Sequence, residues 1–493
     1  MASLEELRKE RIKKLEILQA AGHNPYPAQT EINISIEKAL ANFNSLVDKG
    51  LPAQAGKEIT LGGRIMALRR QGGLIFVDLL DDSHRLQGLL KEDDLGPQFE
   101  LFVDAIDLGD FVQITGKLIT TKQGEKTIQA VGWKILAKSL RPLPDQWAGL
   151  QDIEERLRKR YLDILLNNDV RDLVIKRGEF WQAVRNFLLS KDFIEVETPV
   201  LENTPGGADA RPFSTHHHAL NLDVYLRIST GELWQKKLIV AGFNRTFEIG
   251  RQFRNEGMDA EHLQDYTQME FYLAYADCEQ GMQLVEELFK HVAKKVFGTL
   301  QFTISEFKVD LVKKWERYDF RETVRKMTGI DVFEAKLPEL EAKLKELKID
   351  YDQKGFNVTR AIDNLWKYCR KQIAGPGFLM GTPIEISPLA KRDEKDPRRA
   401  QRFQLIIAGS ELGNGYSELN DPLEQLGRFN EQAKLREAGD EEAQMKDEEF
   451  IEALEYGMPP TCGFGMSERV FAFLANKSMR EAQIFPLMRP KEK

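Results

Sequence analysis

Arg254 is the second residue of the stretch FRNEG and is followed, after a polar turn, by TQMEFY, in which Gln268, Glu270 and Tyr272 alternate with Met269 and Phe271. A guanidinium presents a planar fork of donors that fits a phosphate or carboxylate better than the point charge of an ammonium does. Side chains alternate along a strand, so Gln268, Glu270 and Tyr272 fall on one side and the two apolar residues on the other. The segment reads as a hairpin that aims an arginine at an anion and sets carboxylates beside it, which is nucleotide handling without a P-loop. The same alternation in GNGYSELND puts Asn414, Tyr416 and Glu418 on one face. Brought to one pocket, the two strands supply two carboxylates and two phenols. Buried like charges repel and raise each other's pKa. A ligand ammonium held by both carboxylates and a phenol removes that cost, so the pattern predicts a substrate with a distal amine.

GFGMSER carries Gly463 and Gly465 ahead of Arg469. It is expected to be a glycine-rich turn entering a helix, with backbone that comes close to a ligand and a guanidinium that stacks on a flat ring. The third glycine and the downstream acid of a dinucleotide fingerprint are missing, which disfavours a Rossmann site. In THHHAL, His216, His217 and His218 point to alternate sides of an extended segment, and no partner cluster completes a metal shell.

These residues sit in a chain of 493 residues with net charge −8, 42% hydrophobic and 30% charged. That is the composition of a soluble globular protein with roughly three domains by length. No apolar run reaches the roughly 20 residues of a membrane helix, and the leucine-rich, mixed-charge N-terminus is neither a secretory signal nor a transit peptide. A cytoplasmic location without membrane association is expected. Cys278, Cys369 and Cys462 are far apart and lack CxxC spacing, so they are expected to be reduced and packed. The acidic total argues against a uniformly basic nucleic-acid coat but leaves room for a local basic surface.

Along the chain, residues 3–20 form a helix with a basic face, expected to be solvated, within an N-terminal extension over 1–56. Residues 57–142 change to short alternating strands, five in all with a helical stretch between the third and fourth, which is the pattern of an oligonucleotide-binding barrel. Phe76 and Gln87 fall on the strands that form the binding face of such a barrel, with Arg70 at a strand end. A ring to stack a base, with an amide and a guanidinium to read its edges, suits a single-stranded RNA loop. Residues 143–173, with Pro142 and Pro144 beside them, read as a linker. The remainder, 174–493, holds a long helix, then FIEVETP, whose alternation sets Ile194 and Val196 opposite Glu195 and Glu197. A charged helical insertion spans about 331–372, and a solvated helix pair is expected over 430–455.

FIEVETP with its preceding helix, the FRNEG hairpin ending in MEFY, and GFGMSER are together similar to the three class II synthetase motifs. With PGGADARPF, GNGYSELND, EYGMPPT and NPYP, nearly the whole chain resembles the class II lysyl-tRNA synthetases. The resemblance implies an α+β fold, with an antiparallel catalytic sheet flanked by helices and an N-terminal OB-fold barrel that reads the anticodon. It also implies a homodimer joined partly through the first motif. The implied substrates are L-lysine, ATP with Mg2+, and tRNA(Lys). Catalytic roles are implied for Arg254, Glu256 and Arg469. Lysine would be held by Gly207, Glu232, Glu270, Tyr272, Asn414, Tyr416 and Glu418. ATP would meet Arg254, Glu256, His262, Tyr266, Glu411 and Arg469, and Arg70, Phe76, Gln87 and Glu125 would serve the anticodon. Many relatives carry a glutamate seven residues before Glu411, where this chain has Gln404. An amide can still bind a hard cation through its oxygen but brings no charge, so magnesium is expected to be held mainly by the ATP phosphates and Glu411, with Gln404 as a weaker ligand. An aspartate or asparagine enzyme of the same class is disfavoured by Glu270 and Glu418, which would repel an acidic side chain. A fold relative that lost its chemistry is disfavoured by intact Arg254, Glu256, Glu411 and Arg469. An enzyme lysylating protein is disfavoured by the barrel.

Overall fold

The computed structural model describes residues 3–47, 57–144, 150–208, 210–257, 263–351, 356–437 and 443–491. The chain divides into two compact units, 1–152 and 153–493.

In the first unit, strands β1 (Glu58–Gln71), β2 (Leu74–Asp81), β3 (His84–Lys91), β4 (Phe111–Thr120) and β5 (Lys126–Ala137) close into a barrel in the order β1-β2-β3-β5-β4. Two short helices, Glu92–Leu95 and Pro97–Ala105, fill the gap between β3 and β4. Every second residue of β2 is buried, Ile75, Val77 and Leu79, as the period of a half-buried strand requires. The N-terminal helix Leu4–Ala20 departs from the solvated face expected of it. Arg11 is buried and donates to the carbonyls of Leu108 and Ser139 at 2.9 Å each, so part of the basic face is tied to the barrel.

The second unit contains β6 (Ile194–Glu195), β7 (Leu201–Glu202), β8 (Ser214–His217), β9 (Leu222–Leu226), β10 (Arg245–Phe253), β11 (Asp265–Ala274), β12 (Gln301–Ile304), β13 (Phe307–Asp310), β14 (Glu316–Asp319), β15 (Gly377–Met380), β16 (Arg402–Ile407), β17 (Ser410–Ser417) and β18 (Thr461–Ser467). Its main sheet runs β14-β15-β16-β17-β18-β11-β10-β6; the outer pairs β14-β15 and β6-β10 are parallel and the strands between are antiparallel. The back face is covered by the helices Asn168–Ser190 and Cys278–Phe297, whose buried residues Phe180, Val184, Leu288 and Val292 recur at helical spacing. The first of these helices begins inside the segment expected as a linker, which also carries the helices Ile153–Arg158 and Arg160–Leu166. The inserted region holds the helices Leu337–Glu346 and Val358–Arg370 around their own core of Leu340, Leu365 and Trp366.

Three local expectations are corrected. GFGMSER is not a turn: Thr461–Ser467 is a central strand, and the helix begins at Arg469. FIEVETP makes only a two-residue edge strand, and Ile194 is 49% exposed because no described residue covers that edge. The pair of helices Pro422–Glu437 and Glu448–Glu455 is amphipathic rather than solvated, with Phe429, Phe450 and Leu454 packed beneath it.

The core behind the sheet depends on glycine. In β17, Gly413 and Gly415 point backward, where an added Cβ would collide with the Phe464 ring at Gly413 and come 2.5 Å from Phe403 at Gly415. Those two rings stack at 5.9 Å between centroids and fill the space the glycines leave. Phe403 is fully buried. Phe403→Ala is expected to cost about 3–5 kcal/mol of unfolding free energy, measured by urea denaturation; a loss below about 1 kcal/mol would mean that the sheet does not rest on this stack.

Candidate active site

The front face of the sheet carries a cleft of about 530 Å3. Strand β18 lies between β11 and β17, and its register sets Glu270 and Asn414 on either side of Gly465, and Tyr272 and Tyr416 on either side of Gly463. Cross-strand partners share a face, so the two polar rows that alternation assigns separately converge on one floor. The floor is glycine of necessity: a Cβ at Gly463 would come 2.6 Å from the Tyr272 ring, and one at Gly465 would come 3.2 Å from Glu270. Met269 and Phe271 are fully buried on the opposite face.

Glu418 follows β17, and Glu232 is the first residue of the helix Glu232–Val240. Glu232, Glu270 and Glu418 are 5%, 3% and 1% exposed. Between Glu232 and Glu418 stands a residue that the sequence reading missed. Lys236, one helical turn after Glu232, sets its Nζ 2.6 Å from Glu418 and 3.1 Å from Glu232, and is itself 1% exposed. The ammonium also lies within 6 Å of the Tyr272 and Tyr416 rings. Part of the cost of burying like charges is therefore met within the protein. The i, i+4 spacing of Glu232 and Lys236 on a helix was the available signal.

Glu270 pairs with no cation among the described residues. Its Oε1 accepts from the Thr230 backbone N–H at 2.7 Å and the Gln268 amide at 2.5 Å, and its Oε2 from the Tyr272 hydroxyl at 3.0 Å. Burial, with the Glu232 charge adding to it, pushes its carboxyl up to about 7. Burial likewise lifts Glu418 to about 8 against the opposing pull of Lys236. Burial lowers the Lys236 ammonium, but Glu418 and Glu232 outweigh it and hold it above the usual lysine value. Burial keeps the Tyr272 and Tyr416 phenols protonated far above neutrality, so they act as donors, Tyr416 to Glu232. Gly207 has φ +85°, and a Cβ there would come 2.9 Å from the Glu232 carboxylate, so only a glycine brings the backbone this near.

At the other end of the cleft the charge reverses. Arg254 lies one residue past β10, with its Nε on the Ile228 carbonyl at 3.3 Å and its guanidinium 5.9 Å from the Tyr266 ring centre. No carboxylate among the described residues pairs with it. Glu256, Glu411 and Arg469 also line the cleft. The β16–β17 register skips Leu412, pairing Leu405 with Gly413 and Ile406 with Glu411; this bulge turns Glu411 to the same face as Asn414 and Gln404. Arg402, which the sequence reading also missed, donates to Asn414 Oδ1 at 2.7 Å and leaves the Asn414 amide N–H groups for a ligand. Its register partner is Tyr416, so the alternation of RFQLII had already set it on this face. His262 lies outside the described residues.

In the barrel unit, Phe76 and Gln87 share the outer face of β2 and β3, since Asp78, two residues from Phe76, pairs with Gln87. Gln87 accepts from Thr127 at 2.9 Å. Arg69, opposite Phe76, joins that face. Arg70 does not: its register partner Ile75 enters the barrel core, and its guanidinium turns to Glu100 at 3.7 Å. Glu125 is exposed in the β4–β5 turn.

Residues 152–489 match the tRNA synthetases of class II (D, K and N). The chain belongs to this family. Within the class II synthetase, residues 59–136 match the OB-fold nucleic acid binding domain. Curated relatives span its whole length: a lysine–tRNA ligase of Thermosipho africanus is 41% identical, over 99% of this chain and 97% of its own. A lysine–tRNA ligase of Roseiflexus castenholzii is 42% identical, over 99% and 100%, and one of Thermotoga maritima 39%, over 99% and 97%. Among the described residues no helix is long and apolar enough to cross a membrane. For this synthetase, Gly463→Ala is expected to keep its circular dichroism spectrum while amino-acid-dependent ATP–pyrophosphate exchange drops at least about tenfold, roughly what a single misfit in a packed site costs. Wild-type exchange in a folded Gly463→Ala variant would contradict the glycine floor.

Proposed function

We propose that this cleft activates L-lysine with ATP, forming lysyl-adenylate and pyrophosphate, and passes the lysyl group to the 3′ end of tRNA(Lys). The observation that carries the reading is the buried group of Glu232, Glu270 and Glu418 around a single resident ammonium. Three carboxylates against Lys236 leave two negative charges, and a free diamino acid brings two ammonium groups. Glu270, Tyr272 and Glu418 take the ε-ammonium; Glu232 and the backbone at Gly207 take the α-ammonium. The substrate carboxylate meets Arg254 and the amide of Asn414. Tyr266 and Arg469 flank adenine, with Glu256 beside its amino group. Phe76, Gln87 and Arg69 of the barrel meet the anticodon, with Glu125 at its margin and Arg70 acting from the barrel end.

No protein nucleophile is needed. The lysine carboxylate attacks the α-phosphorus in line, the bond to pyrophosphate breaks, and Arg254 offsets the charge that builds on the phosphate oxygens. A ribose hydroxyl of tRNA then attacks the acyl carbon and AMP leaves. The residues near Glu411 do not form a seat for a resident divalent ion. Glu411 already faces Arg370 at 3.5 Å, Gln404 brings a neutral amide, and no group of three or more His, Cys, Asp or Glu among the described residues is arranged to hold a metal. Magnesium thus arrives with ATP as part of the substrate, and no step here is routed through it. The bare edge β6, with Ile175, Ile194 and Leu201 each 49% exposed, supports association of two copies through this region.

ATP–pyrophosphate exchange across the twenty amino acids tests the reading: lysine alone should support it, and exchange with aspartate or asparagine, or with none, would overturn it. Glu270→Gln is expected to raise KM for lysine about 10- to 100-fold, as loss of a buried charge-assisted contact does. The raised carboxyls also set a sign for pH. Protonated in part when the site is empty, Glu270 and Glu418 must ionise to receive an ammonium. Lysine binding at pH 7 should release protons, and its affinity should rise between pH 6 and 8. Calorimetry in buffers of different ionisation enthalpy reads this directly, and proton uptake would refute the charge assignment.

A further inference from the structure

We propose that Arg370 is a binding residue for the ATP phosphates, supplying beside Glu411 the positive charge that a protein-held divalent ion would otherwise bring. The proposal rests on ATP occupying this end of the cleft. Arg370 closes the helix Val358–Arg370 of the inserted region, and its side chain, 14% exposed, lines the cleft. Among the described residues its one ion pair is long, 3.5 Å from Nη1 to Glu411 Oε2, and its Nε is buried without a partner. A guanidinium has five N–H donors, and burying them unspent is costly unless an anion arrives. On β16, Gln404, the register partner of Asn414 and 7% exposed, holds a buried Oε1 with no partner among the described residues. Its neutral amide brings no negative charge to compete with phosphate.

Lys367, one turn earlier on the same helix, lines the cleft as well, but its ammonium is paired with Asp363 at 2.8 Å, which leaves Arg370 as the cation this helix turns to the cleft. A bidentate guanidinium–phosphate contact is among the strongest polar contacts a protein makes, and it needs no metal to form. The competing role is structural: a cation in the last turn of a helix steadies its exposed carbonyls. That role predicts a change in stability and none in nucleotide affinity.

The experiment measures pyrophosphate exchange at saturating lysine with ATP varied. Lysine-dependent exchange by the wild-type protein tests the functional reading itself, so failure there is distinct from failure of this inference. Arg370→Ala should raise KM for ATP about 10- to 100-fold while KM for lysine moves less than about twofold, because the acidic end of the cleft is untouched. Arg370→Lys, which keeps the charge at the helix end but loses the fork, should fall between the two. A second readout needs no activity: Arg370→Glu combined with Gln404→Glu gathers three carboxylates with Glu411, and this variant should bind Mn2+ without nucleotide, as followed by electron paramagnetic resonance, whereas wild type should not. An unchanged KM for ATP in folded Arg370→Ala, or nucleotide-free Mn2+ binding by wild type, overturns the proposal. If Arg370→Ala does not fold, a wild-type KM for ATP in Arg370→Lys overturns it equally.

Discussion

Burying carboxylates is the constraint around which the second unit is organised. Glu232, Glu270 and Glu418 are removed from water on the front of one sheet, where an unpaired charge costs several kcal/mol after relaxation (about that order for each ion). Lys236 offsets one charge, and the Tyr272 hydroxyl and Thr230 N–H share the load at Glu270. What is left over is an electrostatic debt that only a ligand of the right charge clears. On the neighbouring strand β10, Glu248 shows the alternative. It pairs in register with Glu270, yet Arg227 at 2.5 Å and Thr198 at 2.6 Å satisfy it. Neighbouring glutamates on one face thus divide into one that is settled within the fold and one held open for substrate.

Two adjacent strands solve packing and binding together by placing glycine on opposite faces. In β17 the glycines point back and admit Phe403 and Phe464 to the core; in β18 they point forward and admit the substrate. Exchanging the faces would fill the cleft and hollow the core, because a one-residue shift of register inverts every side chain. The bulge at Leu412 is a local exception with a purpose of the same kind, since it turns Glu411 to the cleft side.

Much of this was legible because strand alternation is a strong rule for a half-buried strand. TQMEFY and GNGYSELND gave the correct faces for Gln268, Glu270, Tyr272, Asn414 and Tyr416, and the barrel followed from five short alternating runs. The misreadings have physical causes. GFGMSER looked like a turn because glycine usually marks one, whereas here a central strand needs glycines to make room for neighbours on β11 and β17. FIEVETP alternates as a strand does, but alternation gives the period and not which side is covered, and Ile194 is 49% exposed. Lys236, Arg402 and Arg370 were missed for a common reason. Each acts on a partner supplied by another element, Glu418, Asn414 and Glu411, and the pairing exists only once the sheet is assembled. Arg70 lies at the strand end where it was expected, and its register partner Ile75 enters the barrel core, so it stands off the face that Phe76 and Gln87 share.

The two ends of the cleft carry opposite charge, and this orders the reaction without a covalent catalyst. On the proposed reading, lysine presents its ammonium groups to the acidic end and its carboxylate toward Arg254, while ATP, repelled by the glutamates and drawn toward the arginines, brings its α-phosphorus to the same point from the other side. Each substrate is thus oriented by the charge it must avoid as much as by the one it meets. Electrostatic orientation of this kind fixes the direction of approach before any atom reacts, which is the part of the barrier that positioning removes. A neutral amino acid that fits the cleft by shape would leave the carboxylates uncompensated, and they would take up protons and lose their grip on the floor of the site. Selectivity and reactivity therefore draw on the same separation of charge, and a change that weakens either end is felt at both.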